Sequence, residues 1–282
     1  MKSCLAFALG GGGARGAMQV GAVRALIEAG FAPDLLVGTS IGAVNAVGLA
    51  LWGVDRSGIE ALEQAYQEIA KSKLMDPHFS RVVVRALLGR PNADASRRVA
   101  EMLISKGVTP EVRFDQISGV RVAVIGTDLE TGLPVIYGQD PSQSVLDGLL
   151  ASIAIPPWFA PIEKNGRTIV DGGIVSNVPI EAAVTLGASE ILALDLDDPR
   201  PTPGNHHPVD QYLNRLFFAV SQRYKRLETA LAEAHGVRVR CIELRGAVTA
   251  QYWDFGSYRE LIQTGYEVVC RELPGWMEPE MM

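Results

Sequence analysis

Four consecutive glycines, at positions 10–13, stand near the start of the chain in the stretch LAFALGGGGARG. A short apolar run of strand length precedes them at 5–9, and at 17–29 the apolar residues recur with the spacing of a helix that buries one side. The glycines therefore predict a tight strand-to-helix turn. Such a turn presents unhindered backbone N–H groups at the positive end of a helix dipole, and this arrangement favours an anion.

Two kinds of anion suit this turn. The pattern Gly11-x-Gly13-x-x-Gly16 matches the fingerprint of dinucleotide-binding folds, in which the turn holds a pyrophosphate. That fingerprint also needs an acidic residue at the carboxyl end of the second strand, whereas Asp34 precedes the next apolar run, at 35–37. A pyrophosphate, and with it a dinucleotide-binding oxidoreductase, is therefore the alternative interpretation. The preferred interpretation is that the turn binds an oxyanion formed during a reaction.

The second strand-like run leads into another glycine-rich turn, GTSIGA at 38–43. Gly38-x-Ser40-x-Gly42 lies between an apolar strand and an apolar helix, which is the context of a nucleophile elbow. A right-handed strand-helix-strand unit has parallel strands, so the carboxyl ends of both strands open on one edge. If the two strands are neighbours, Ser40 faces the first glycine turn, whose amides can then stabilise the oxyanion of an ester under attack.

A nucleophilic serine needs a base, and none of the four histidines lies at a strand end or in a glycine-rich turn: His78, His206, His207 and His235. Asp171 follows a strand-like run at 167–170 and precedes Gly172 and Gly173. An aspartate in this position can be approached closely by other backbone. From the residues alone it is either the base or an ordinary turn aspartate.

Four segments, in this order, resemble the motifs of the patatin-like phospholipase family: GGGARG at 11–16, GTSIGA at 38–43, ASIAIPPWFAP at 151–161 and DGGIVSNVP at 171–179. The resemblance implies a Ser-Asp dyad without histidine, in which Ser40 is the nucleophile and Asp171 its base. It also implies an oxyanion hole formed by Gly11, Gly12 and Gly13. Residues in a supporting role around this site would be Arg15, Gly38, Gly42, Gly172 and Gly173.

The remaining pattern predicts a three-layer α/β/α fold with a mostly parallel central sheet and the nucleophile elbow after the second strand. Strand-like runs at 121–127, 190–196 and 237–244 alternate with helical stretches, as in a parallel sheet covered on both faces. We expect residues 1–282 to form one patatin-like α/β hydrolase domain. The strand-free stretch at about 55–116 is expected to be a helical insertion that overhangs the active edge like a cap.

Charge and hydropathy limit the partners. A net charge of −6 disfavours a general affinity for nucleic acid or membranes, so any contact with a membrane surface should be local and transient. One candidate is FSRVVVRALLGR at 79–90, where an apolar helix side adjoins arginines, although such a helix more often packs on the core. The sequence contains no apolar run of the roughly 18 residues that a membrane span requires.

The three cysteines, Cys4, Cys241 and Cys270, show no metal-binding spacing and predict reduced thiols in a cytoplasmic protein. We expect neither a cofactor nor a metal. The sequence thus favours a serine acyl hydrolase that cleaves phospholipid or lysophospholipid esters through an acyl-enzyme. It would be cytoplasmic or peripheral to the membrane, and its oligomeric state is not indicated. Besides the oxidoreductase, a non-catalytic lipid-binding module on the same fold stays open as an alternative.

Overall fold

The computed structural model describes residues 3–72, 93–200, 208–247 and 250–277. The strands are β1 (Leu5–Leu9), β2 (Leu35–Thr39), β3 (Arg121–Asp128), β4 (Leu133–Tyr137), β5 (Ile162–Lys164), β6 (Arg167–Asp171), β7 (Glu190–Asp195) and β8 (Arg238–Glu243). The helices are α1 (Ala17–Glu28), α2 (Ile41–Trp52), α3 (Arg56–Ser72), α4 (Ala93–Ser105), α5 (Val145–Ser152), α6 (Ile180–Thr185), α7 (Pro208–Ala234), α8 (Tyr258–Glu272) and α9 (Pro274–Met277).

The strands form one mixed sheet with a parallel centre. Strands β3, β2, β1, β7 and β8 lie side by side in that order, and all four pairings between them are parallel. Strands β4 and β6 pair with β3 in the antiparallel sense, and β5 pairs with β6 in the same way. The mostly parallel sheet is therefore confirmed, while the antiparallel strands β4 and β5 are additions that the sequence pattern did not predict.

Strand β3 brings the ends of two other strands together. Because β4 pairs with residues 124–128 along one edge of β3, the other edge is shared between β2, opposite 121–125, and β6, opposite 126–128. Thr39 of β2 therefore pairs with Ile125, and Asp171 of β6 pairs with the next residue, Gly126. The turn that follows β2 consequently starts beside the last residue of β6.

Helices cover both faces of the sheet, as the alternation of side chains along each strand requires. Phe7 and Leu36 point into the larger core, which includes residues of α1, α2, α3 and α8. Ala6 and Leu35 point into the smaller core on the opposite face, below α6 and α7. This arrangement confirms the predicted three-layer architecture.

The predicted helical insertion is described in part. Helix α3 packs within the larger core, where Tyr66 is fully buried and its hydroxyl donates to Asn45 Oδ1 at 3.1 Å. Residues 73–92, and with them the amphipathic stretch at 79–90, lie outside the described residues. A cap over the active edge therefore stays a prediction. Within the described ranges, no helix combines the length and the apolar character needed to cross a bilayer.

Candidate active site

Ser40 occupies the turn between β2 and α2 and has the backbone angles φ 56° and ψ −124°. This conformation is rare for a residue with a side chain and is typical of functional sites. The turn leaves no room for larger neighbours: a Cβ atom on Gly38 would lie 2.3 Å from the Gly42 carbonyl oxygen, and one on Gly42 would lie 2.1 Å from that of Leu9. The glycines of the predicted nucleophile elbow are thus required by its geometry.

Ser152 forms a hydrogen bond to the backbone of the elbow. Its hydroxyl oxygen, fully buried at the end of α5, accepts a hydrogen bond from the Ser40 backbone amide at 2.9 Å. Ser152 was not among the predicted site residues. The motif ASIAIPPWFAP, in which it is the second residue, was the signal that contained it.

Asp171 is buried at the end of β6, and one of its oxygens, Oδ1, accepts the Gly173 amide at 2.8 Å. The other oxygen, Oδ2, is buried without a hydrogen bond of normal geometry from any described residue. Burial raises the pKa of Asp171 to about 6, and the nearby Ser40 hydroxyl and the Gly173 amide counteract part of this rise. Ser40 is therefore close enough to interact with this carboxyl group.

The first glycine turn lies against Ser40, since a Cβ atom on Gly11 would be only 3.1 Å from the Ser40 Cβ. The Gly11 amide donates to the Asn177 carbonyl at 3.0 Å. The amides of Gly12 and Gly13 have no hydrogen-bond acceptor within the described part of the chain. Gly13 adopts φ 57°, which glycine tolerates without strain. Because Gly12 and Gly13 directly follow Gly11, these two unpaired amides belong to the turn that contacts Ser40.

A chain of polar side chains, from Asn177 to Asp197 and Ser221, hydrogen-bonds to this turn. The Asn177 side-chain amide donates to the Gly11 carbonyl at 3.4 Å and to Asp197 Oδ1 at 3.0 Å. Asp197 Oδ2 in turn accepts the Ser221 hydroxyl at 2.5 Å. Burial and the neighbouring Asp195 carboxylate raise the pKa of Asp197 to about 6. The turn is thus tied to β7 and α7, an arrangement that the sequence pattern did not predict.

Arg15, for which a supporting role was predicted, is buried beside the same turn. Its guanidinium group stacks on the Tyr252 ring at 4.2 Å, and its Nε donates to the Gly12 carbonyl at 3.4 Å. The charge of Arg15 also lowers the pKa of Asp197, against the effect of burial. Arg15 therefore contacts the backbone of the turn, while Tyr252 holds its guanidinium group in place.

Two alternative readings of the sequence are not favoured by these positions. Asp34 lies at the amino end of β2, where its carboxylate accepts the Leu5 amide at 3.0 Å, so it is at the edge of the sheet away from the glycine turn. His235 is exposed at the end of α7 and contacts the Leu231 carbonyl at 2.8 Å. The other three histidines, at 78, 206 and 207, lie outside the described residues.

An apolar groove of about 230 Å³ lies close to the site, between α4 and the segment that follows α5. It is lined chiefly by Ala100, Leu150, Ile153, Phe159 and Ile162. Ile153 follows Ser152, which contacts the elbow, and precedes Ala154, whose carbonyl accepts the Asp171 amide at 3.0 Å. One lining residue of the groove, Ile153, therefore lies in the chain between the residue that contacts the Ser40 amide and the residue that contacts the Asp171 amide.

Comparisons with known proteins identify relatives of this chain. An uncharacterized NTE family protein of Mycobacterium bovis is 30% identical over 220 residues, which are 77% of this chain and 56% of that protein. Human patatin-like phospholipase domain-containing protein 6 is 30% identical over 298 residues, which are 96% of this chain but 20% of the human protein. This chain thus spans about half the length of the first relative and a fifth of the second.

Among solved structures, VipD from Legionella pneumophila is similar with a TM-score of 0.45 and 17% identity, over 97% of this chain and 67% of VipD. The family model for patatin-like phospholipases matches residues 7–184, a range that includes both glycine turns, Ser40 and Asp171. The chain therefore belongs to the patatin-like phospholipase family, a family of lipid hydrolases.

Proposed function

We propose that this protein is a serine acyl hydrolase that cleaves ester bonds of phospholipids or lysophospholipids with Ser40 as nucleophile and Asp171 as base. One observation carries the proposal: β3 aligns the end of β2 with the end of β6, so a strained serine stands beside a buried aspartate. The unpaired amides of Gly12 and Gly13 supply the third requirement of acyl transfer, a place for the oxyanion.

In the acylation step, Asp171 takes the Ser40 proton as Ser40 Oγ attacks the ester carbonyl carbon. The negative charge that develops on the carbonyl oxygen is stabilised by the two free amides. The ester bond then breaks, and the leaving alcohol takes the proton from Asp171. In the second step Asp171 takes a proton from water, the resulting nucleophile attacks the acyl-enzyme, and Ser40 leaves as the free hydroxyl with that proton.

The glycines of the first turn have different roles in this proposal. Gly12 and Gly13 are the oxyanion donors, whereas the Gly11 amide is already bound to Asn177 and instead fixes the turn against Ser40. Arg15 contacts the Gly12 carbonyl and so helps to orient that peptide. The apolar groove beside Ile153 is a suitable place for an acyl chain, which is the reason for preferring a lipid ester to a small polar one.

The proposal is tested by measuring hydrolysis by the purified chain. The substrates are a panel of phospholipids, lysophospholipids, neutral esters and thioesters. We expect release of fatty acid from at least one lipid ester and its loss in Ser40→Ala. Turnover that persists in Ser40→Ala would contradict the assignment of the nucleophile. Lipid binding without any turnover would support the non-catalytic module, and tight binding of a nicotinamide or flavin, followed by fluorescence, would support the oxidoreductase.

Replacing Gly12 with valine should reduce turnover about 100- to 1000-fold, the usual effect of losing an oxyanion donor. A Cβ atom at this position would lie 2.8 Å from the Leu196 Cβ, so the peptide must shift and its amide would no longer point at the oxyanion. Turnover is to be compared with circular dichroism. Gly275→Val is a matched control because a Cβ atom there meets nothing within 4 Å. Normal turnover in a folded Gly12→Val variant would rule out this turn as the oxyanion hole.

The pH dependence of kcat/KM should follow the ionisation of Asp171. Because the base must be ionised, kcat/KM should rise with pH through the pKa of about 6 and level off above it. The measurement is a pH-rate profile at low substrate concentration. A histidine base would titrate in nearly the same range, so the profile is repeated in the variant in which His206, His207 and His235 are changed together to glutamine. Disappearance of the rise in that variant would assign the base to histidine and not to Asp171.

A further inference from the structure

One face of α7 carries a concentration of exposed apolar side chains. Seven large residues on this helix are between 37% and 68% exposed, and we call them the apolar stripe: Tyr212, Leu216, Phe217, Val220, Tyr224, Leu227 and Leu231. Elsewhere in the described ranges only Ile104, Leu129 and Leu133 are large, apolar and exposed. Ser221, Glu228 and Ala232, on the adjacent side of the helix, are buried against the domain.

The spacing within the stripe is that of a helix that packs against another helix. Phe217, Val220, Tyr224, Leu227 and Leu231 follow one another at alternating intervals of three and four residues, the repeat of a coiled-coil seam. Three exposed alanines, Ala219, Ala230 and Ala234, border this seam. Small side chains on the flank of a seam allow a second helix to approach closely, whereas they add little to contact with a lipid surface.

The size of the stripe matches an interface. At about 150–250 Å² for a fully exposed side chain of this size, seven residues of such exposure present roughly 600 Å² of apolar surface. This is at the upper end of the about 300–600 Å² found for the largest patch of a typical monomer. A standard interface takes about 800 Å² from each partner, of which the stripe supplies the larger part and its flanks can supply the rest.

We propose that the stripe is the contact surface of a homodimer, in which α7 packs antiparallel against α7 of a second copy. Centred on Gln222, this register sets Phe217 of one copy against Leu227 of the other and Val220 against Tyr224. Each contact then joins a larger with a smaller side chain, which fills the seam evenly. A parallel pair would instead oppose Phe217 to Phe217 and Val220 to Val220, and would align the two helix dipoles unfavourably.

Charge distinguishes this partner from an anionic membrane. At about 100° between successive residues, Arg223 falls at the edge of the stripe, and Arg215 and Arg226 lie farther round the helix. In the antiparallel pair the two Arg223 side chains lie on the same flank near the two-fold axis and repel each other through solvent. Added salt should therefore tighten the dimer, because it screens this repulsion. Binding to anionic lipid through the same arginines would be weakened by salt.

The proposal is tested by sedimentation velocity of the full chain. The measurement covers a wide range of protein concentration and is made at low and at high salt. We expect a dimer whose dissociation constant decreases with salt. Phe217→Glu and Leu227→Glu should each weaken the dimer at least about tenfold with normal circular dichroism. Leu133→Glu is the matched control, because Leu133 is 62% exposed on β4, outside the stripe. A wild-type chain that stays monomeric, or a dimer that Phe217→Glu and Leu227→Glu leave intact, would overturn the proposal.

Cysteine cross-linking tests the direction of the helix pair. In a Cys270→Ser background, which removes the exposed native thiol, mixing Val220→Cys with Tyr224→Cys should give a disulfide-linked dimer on mild oxidation. Efficient cross-linking of Val220→Cys alone would indicate the parallel pair and overturn the proposed register. The wild-type chain could instead be monomeric, sediment with phosphatidylglycerol vesicles and lose this binding in Leu227→Glu. That result would overturn the homodimer and identify a lipid surface as the partner of the stripe.

Discussion

Replacing Asp171 with asparagine should lower kcat/KM for lipid-ester hydrolysis by about 1,000- to 10,000-fold, because an amide cannot take up the serine proton. The substitution keeps the size of the side chain and an oxygen that can accept the Gly173 amide. Initial rates at low substrate concentration measure the effect. A loss of less than about tenfold in a folded variant would mean that another group accepts the proton.

The matched comparison is the joint change of His206, His207 and His235 to glutamine. These histidines follow Asp171 in the chain, as the base does in the Ser, Asp, His order of α/β-hydrolase triads. Under the dyad mechanism the triple variant should retain most of the turnover. Loss of turnover in a folded triple variant would restore the triad and leave Asp171 as its orienting carboxylate.

The loss of turnover in Asp171→Asn should not be accompanied by a loss of stability. Asp171 has a folded-state pKa of about 6, above the ordinary value of about 4 in an unfolded chain, so the folded protein disfavours its ionised form. Ionisation therefore destabilises the fold increasingly as the pH rises from about 4 to above 6, by up to about 3 kcal/mol. Asparagine carries no such charge. At about pH 8 the variant should thus melt at or above the wild-type temperature, and at about pH 4 close to it.

Replacing Ser40 with alanine should abolish the acyl-enzyme route, with a loss of about 10,000-fold or more in kcat. A fluorophosphonate ester should label the wild-type protein covalently at Ser40, because an activated serine beside an oxyanion hole attacks phosphorus as it attacks a carbonyl carbon. Peptide mapping locates the adduct. Ser142→Ala, a change at an exposed serine of the loop before α5, should leave labelling unaffected.

Labelling also distinguishes the role of Ser40 as nucleophile from the role of Asp171 as base. Asp171→Asn should retain the labelling site but react much more slowly, since Ser40 would no longer be deprotonated by its neighbour. An adduct on another serine of the wild-type protein, or no adduct in a preparation that hydrolyses lipid, would exclude Ser40 as the nucleophile.

The sequence by itself determined the two strand-turn-helix units and the parallel pair that they form. These features are local: Gly38 and Gly42 have no room for a Cβ atom, and the strand-length and helix-length apolar runs on either side leave few other structures open. The parallel arrangement then follows from the handedness of the crossover. For the same reason Asp171 was visible at a strand end, although only the family resemblance, and not the local pattern, paired it with Ser40.

The tertiary structure decided what no local pattern contains. The end of β6, with Asp171, lies beside the end of β2 because β6 is antiparallel to β3 and takes the part of its edge that β2 leaves free, an arrangement that depends on pairings between distant segments. The Gly11 amide is taken by Asn177, which leaves two of the three predicted oxyanion donors free.

Helix α7 gives a second example of the same limit. Its three-and-four spacing identifies an apolar side in the sequence, but only the packed structure shows that Ser221, Glu228 and Ala232 contact the domain while the apolar side is exposed. Periodicity fixes which residues share a face, because it follows from the geometry of a single helix. Which face is covered depends on the competing contacts of the whole chain, and these exist only in the folded protein.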